Sequence, residues 1–140
     1  MNNMISNEAF NVMVGTHPVG THPVKTMKLY IFQLMPVDAQ QEHLDLLQNS
    51  LEMICKNEAG QSSVILDCSL LLQKKMIKRF LQRSLSKLAA IENPTGLYKL
   101  IIVTSSSIVK VVSTGIIKLK KADHYTKICT TMTDAMLELK

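Results

Sequence analysis

Tryptophan is missing from the chain, and only three phenylalanines and three tyrosines supply aromatic rings. Platforms for stacking bases are therefore scarce, and binding of nucleic acid is not expected, since single-strand readers use several such rings. Cysteine is equally sparse. Cys55, Cys68 and Cys129 lie far apart with no C-x-x-C pair, which argues against a disulfide framework or a zinc site and fits a reducing compartment. No apolar run approaches the ~20 residues of a membrane-spanning helix. Met1-Asn2-Asn3-Met4 has neither the basic nor the apolar part of a signal peptide, so a cytoplasmic location without a transmembrane segment is expected. No P-loop, G-x-G-x-x-G, H-E-x-x-H or G-x-S-x-G motif occurs, so the reading assigns no catalytic residue, no metal ligand and no cofactor.

What the chain does have is aliphatic bulk: 46% of its 140 residues are hydrophobic. That length suits one domain with one core, burying roughly 68–70% of the surface its unfolded chain exposes. The net charge of +5 is unevenly spread. Residues 1–60 carry three lysines against six acids, and residues 61–140 carry thirteen Lys or Arg against five acids. The second half thus holds the field that an acidic partner would meet.

Hydrophobic periodicity divides the chain into alternating elements. Residues 9–14 alternate as a half-buried strand, with Phe10, Val12 and Val14 on one face. A tandem repeat follows, Gly15-Thr16-His17-Pro18-Val19 and Gly20-Thr21-His22-Pro23-Val24. Its prolines lack an N–H and hold their predecessors extended, which predicts a loop outside any regular ladder. Residues 28–34 read as a second strand, antiparallel to the first. Asp38 is a candidate cap for a helix over 39–56, whose apolar stripe is Leu44, Leu47, Leu51 and Ile54. Residues 63–67 form a short apolar strand of the buried parallel type. A helix over 73–91 carries Ile77, Phe80, Leu81, Leu85 and Leu88 inward. Residues 98–104 are the next strand.

Residues 105–121 are rich in β-branched side chains, which favours a strand by propensity. The spacing of Ile108, Val111, Val112, Gly115, Ile116 and Leu119 instead predicts a core-facing helix. Burying its apolar residues at roughly 1.5–3 kcal/mol each outweighs a propensity deficit of a few tenths per residue. Ser105-Ser106-Ser107 offers the cap. A strand over 125–130 leads to a short helix from 132 with Ala135, Met136 and Leu139 inward. The expectation is one α/β domain: a single mixed, mostly parallel sheet in the order β-β-α-β-α-β-α-β-α, opened by a β-hairpin. Residues 1–27 supply the first strand and the repeat, and residues 28–140 the α/β core.

Three stretches carry a family likeness: Val64-Ile65-Leu66-Asp67, the run from Gly96 to Val103, and Thr130 to Leu137, where a strand passes into a short helix bearing Asp134-Ala135. With this element order, residues 28–140 resemble the STAS fold, specifically the SpoIIAA-like (STAS/SEC14-type) family of small bacterial cytosolic proteins. The resemblance implies a STAS-like, regulatory domain that binds proteins or small ligands and catalyses nothing. In anti-anti-sigma relatives a serine opening the helix after the Asp-ending strand is phosphorylated to switch partner binding. The matching segment here is Asp67-Cys68-Ser69-Leu70, without the family's glycine, and Ser69 reads as a capping or loop residue.

In a parallel sheet, ligands sit outside the carboxyl ends of the strands, near a switch point in strand order. Three such ends are polar here: Asp67-Cys68-Ser69, Thr104-Ser105-Ser106-Ser107 and Cys129-Thr130-Thr131. They read either as a hydroxyl-rich site for a small anion or an acidic side chain, or as plain helix caps. Lys74, Lys75, Lys78, Arg79, Arg83 and Lys87 crowd the helix over 73–91. That helix reads as a surface for an acidic partner or as a solvated face, the unbalanced like charges being mildly repulsive. His17 and His22 lack nearby ligand residues and read as ordinary loop histidines. Cys68 and Cys129 read as small buried residues.

The function expected is binding and regulation, directed at an acidic protein partner or a small anionic ligand, with a homodimer left open. Asp67, Ser69, Ser105, Ser106, Lys75, Arg79 and Arg83 are the contact residues. The competing reading is a small lipid- or metabolite-binding protein, or an enzyme, using the same strand-end site.

Overall fold

The computed structural model describes residues 6–36, 41–57, 60–70, 96–119 and 125–139. They form a single mixed sheet of five strands: β1 (Phe10–Val19), β2 (Lys25–Leu34), β3 (Ser62–Asp67), β4 (Leu97–Val103) and β5 (Thr126–Cys129). β1 and β2 are antiparallel, and β2, β3, β4 and β5 run parallel in sequential order. Three helices accompany them: α1 (Gln41–Cys55), α2 (Ser107–Leu119) and α3 (Met132–Glu138). This is the expected α/β architecture with its opening hairpin. The helix expected over 73–91, with Lys75, Arg79 and Arg83, lies outside the described residues, as does Asp38.

Strand alternation sorts the core into two layers. On one face Phe32, Val64, Leu66, Leu100 and Ile102 meet Leu47, Leu51 and Ile54 of α1 and Val109 of α2. On the other, Ile65, Ile101, Val103 and Cys129 meet Ala135 of α3 and Leu139, the residue that caps its end. β3 is buried along its whole length, as its uninterrupted apolar run requires of a central parallel strand. Each fully buried Leu or Ile of α1 contributes roughly 1.5–3 kcal/mol, enough to hold a helix that isolated would be marginal.

Gly96 fixes how β4 enters the sheet. Its N–H donates to the Cys55 carbonyl at 2.8 Å, and its own carbonyl accepts from Ser62 N–H at 2.8 Å. A Cβ there would overlap the Ile54 carbonyl oxygen, so glycine alone lets the backbone at the end of α1 approach this closely.

The repeat departs from expectation. Its first copy is not a loop: Gly15–Val19 completes β1 and pairs with Lys25–Leu29. Only the second copy turns, with Gly20 at φ +79° and a cis His22–Pro23 peptide. Pro18 is tolerated because no described strand pairs with the outer side of β1, where a missing donor breaks no ladder bond. Val14 shares the face of Phe10 but is 57% exposed, because the core ends short of it.

α2 is a helix as periodicity predicts, but its inward face differs. Val109 and Ser113, one turn apart, are buried, whereas Val111 is 71% exposed and Gly115 is also exposed. The side chains of Ile108, Val112, Ile116 and Leu119 lie outside those described. Among the described side chains, the buried face of α2 holds Val109 and Ser113, and Val111 and Gly115 of the expected stripe lie off it. Met136, expected inward, is 40% exposed, whereas Ala135 of α3 and its C-cap Leu139 are buried as expected.

Candidate functional site at the carboxyl edge of the parallel strands

Gln33, Asp67, Val103 and Cys129 lie in one row across β2, β3, β4 and β5. Two backbone bonds continue the row past the strands: Cys68 N–H donates to the Val103 carbonyl at 2.8 Å, and Thr104 N–H to the Cys129 carbonyl at 2.9 Å. Parallel pairing thereby brings Asp67–Ser69, Thr104–Ser106 and Cys129–Thr131 side by side on one edge. Strand order runs β1 to β5 without reversal, so the described strands contain no switch point, and the edge is a continuous rim.

Each segment has a fixed local geometry. Asp67 is buried, and its Oδ1 accepts from Ser69 N–H at 3.0 Å, an Asx turn that anchors the loop and leaves Ser69 exposed. Thr104 is buried, and its Oγ1 accepts from Ser106 N–H at 3.1 Å. Ser106 Oγ in turn accepts from Val109 N–H at 3.4 Å, capping α2. Thr131 Oγ1 accepts from Asp134 N–H at 3.1 Å and caps α3. Capping therefore accounts for Ser106 and Thr131, while Ser69 and Ser105 present their side chains to solvent. Lys75, Arg79 and Arg83 fall outside the described residues.

Three further side chains belong to this edge and escaped the sequence reading. Lys110 Nζ donates to Thr130 Oγ1 at 3.1 Å. A helical side chain leans toward its own N-terminus, so a lysine one turn inside α2 reaches back onto the rim. That spacing from the serine cap is the signal that could have found it. Asn11 Nδ2 lies 3.5 Å from Gln33 Oε1, and Gln33 neighbours Asp67 in register, so a polar row crosses β1, β2 and β3 on one face. Its signal was only one polar residue in each strand.

The thiols bring no nucleophile to this edge. Burial pushes the Cys68 thiol up, and the Asp67 carboxylate adds to the effect. Burial likewise raises Cys129, with Glu138 and Asp134 contributing. Both remain neutral thiols at neutral pH. Among the described residues no group of three or more His, Cys, Asp or Glu side chains is placed to hold a metal ion, and no helix is long and apolar enough to cross a membrane. Hydroxyl groups beside one ammonium suit hydrogen bonding to an anionic oxygen.

A second polar arrangement lies at the opposite end of β3. His17, expected in a loop, is buried in β1; its Nε2 is 3.0 Å from Ser63 Oγ and its Nδ1 3.2 Å from the Pro18 carbonyl oxygen. The carbonyl can only accept, so Nδ1 carries the proton and Ser63 donates to Nε2. Met27 Sδ sits 3.8 Å from the same Ser63 oxygen. Although this is a serine–histidine hydrogen bond, Ser63 is completely buried, and the pair serves packing. No protein-family model matches the chain, and no curated protein matches it.

Proposed function

We propose that the protein is a STAS-like, non-enzymatic binding and regulatory domain whose working surface is the carboxyl edge of its parallel strands. It recognises an anionic oxygen, carried by an acidic protein partner or by a small ligand. The observation that carries this reading is the Lys110–Thr130 contact, which puts a cation on the same rim that carries the exposed residues Ser69 and Ser105. Support for the STAS-like kinship comes from the hairpin followed by parallel strands in sequential order, the element order on which the resemblance rests. Lys75, Arg79 and Arg83, outside the described residues, remain candidate contacts in this reading.

Calorimetric titration with an oligoglutamate peptide tests it. Lys110→Glu weakens binding about tenfold at low salt, an effect that shrinks as screening rises. Lys118→Glu makes the same charge change at the exposed far end of α2 and leaves affinity within about twofold. Absence of binding, or equal losses in the two variants, contradicts the proposal.

A further inference from the structure

The outer side of β1 has an unusual hydrogen-bond pattern. Met35 N–H donates to the Ala9 carbonyl across the hairpin, and with the observed register this turns the odd-numbered residues of β1 toward β2. The even-numbered residues point their N–H and C=O groups away from the sheet. At both ends those outward groups are already engaged within the chain. Phe10 N–H donates to Asn7 Oδ1, and Val12 N–H to Ser6 Oγ at 2.9 Å. Pro18 has no N–H, and its carbonyl accepts from His17 Nδ1. Among the described residues, Val14 and Thr16 are left with open donors on this edge.

Those two residues flank Gly15 symmetrically, so a second β1 running antiparallel about Gly15 sets Val14 opposite Thr16 and Thr16 opposite Val14. Each open N–H then finds a carbonyl, and the ladder stops on either side at Val12 facing Pro18, where the donors run out on both strands. Edge strands that stay single usually carry charges. β1 from Phe10 to Val19 contains no Lys, Arg, Asp or Glu, so a copy meets no like-charge repulsion. Met13 and Val14, 53% and 57% exposed, lie beside the open stretch and are covered by the pairing.

We propose that this edge is a self-complementary docking surface, and that two copies of the chain join β1 to β1 into one continuous sheet about a two-fold axis at Gly15. The pairing is independent of the carboxyl edge and leaves that rim open on both copies.

Gly15 supplies a direct test. Nothing lies within 4 Å of a Cβ built there, so Gly15→Cys is accommodated. On the axis, the two residues form a non-hydrogen-bonded antiparallel pair with Cα atoms about 4.5 Å apart, within disulfide range. Cys55, Cys68 and Cys129 are buried and do not compete. The expected results are that the sedimenting mass of the full chain doubles with concentration and that Gly15→Cys cross-links under oxidised glutathione. Met13→Cys, which faces His17 of the copy, cross-links at least tenfold more slowly. Thr16→Pro removes one outward N–H, keeps the circular dichroism of the wild type and stays monomeric. A wild type monomeric at every concentration, a Thr16→Pro variant that dimerises equally, or cross-linking as fast from position 13 as from 15 overturns the proposal; the first outcome leaves this edge to a different occupant or to none.

Discussion

His17 and Ser63 are 46 residues apart in sequence, yet the imidazole Nε2 and the serine oxygen stand 3.0 Å apart across the width of β2. The contact explains why two identical pentapeptides fold differently. His17 in the first copy is buried against β3, and His22 in the second stands exposed in the turn. The second copy cannot replace the first, because Val24 is joined directly to Lys25, which opens β2, and no residues would remain to turn the chain.

Replacing each histidine by alanine separates the copies. His17→Ala leaves the buried Ser63 hydroxyl, among the described residues, with only the weak Met27 sulfur acceptor, at a cost of about 1–3 kcal/mol. His22→Ala stays within about 0.5 kcal/mol of the wild type. Urea unfolding midpoints measure both, and equal shifts would show that the buried contact carries no energy.

Gly96→Ala drives a methyl group into the backbone at Ile54 and Asn57. Backbone cannot move aside as a side-chain tip can, so the loss is at least about 1–3 kcal/mol. Gly15→Ala, with open space around it, serves as the control and costs less than about 1 kcal/mol. Chemical denaturation of the two variants compares them, and a silent Gly96→Ala would contradict the close approach of α1 and β4.

The pattern of apolar runs made the hairpin, the parallel strands and the inward Leu47, Leu51 and Ile54 legible, because burial on one or two faces leaves a period of 2 or 3.6 in the sequence. α2 shows where that signal fails. Valines and isoleucines occur nearly all round it, so two stripes one residue apart fit equally well, and the sheet, absent from local sequence, selects Val109 over Val111. The first repeat copy misled for a related reason. Proline marks a break only where its N–H is needed, and an outer strand edge needs none. At the site, Asp67, Ser69, Ser105 and Ser106 could be placed from strand ends and caps. Lys110 left a signal in its spacing from the serine cap, but its contact with Thr130 did not, since Thr130 arrives through the topology of β5.

The buried thiols make the fold sensitive to alkali. Burial, with Glu52 nearby, raises Cys55 from 9.0 to about 12. An acid whose folded pKa is raised keeps its proton longest in the native state, so its stabilising contribution is complete below pH 9 and is lost as pH climbs from there toward 12. Urea midpoints measured from pH 7 to 11 fall above 9, and Cys55→Ala flattens the decline. At neutral pH the folded chain resists iodoacetamide at all three cysteines; rapid labelling would contradict their burial.

Amide chemical-shift mapping during an oligoglutamate titration tests the binding edge most directly. The expected result is that the largest shifts fall on Ser69, Ser105 and Thr130, residues from three separate segments that share one edge only in the folded sheet, and that Lys110→Glu needs about tenfold more peptide to reach the same shifts. Shifts centred elsewhere, as on the turn from Gly20 to Val24, with the three rim residues unmoved, would contradict it.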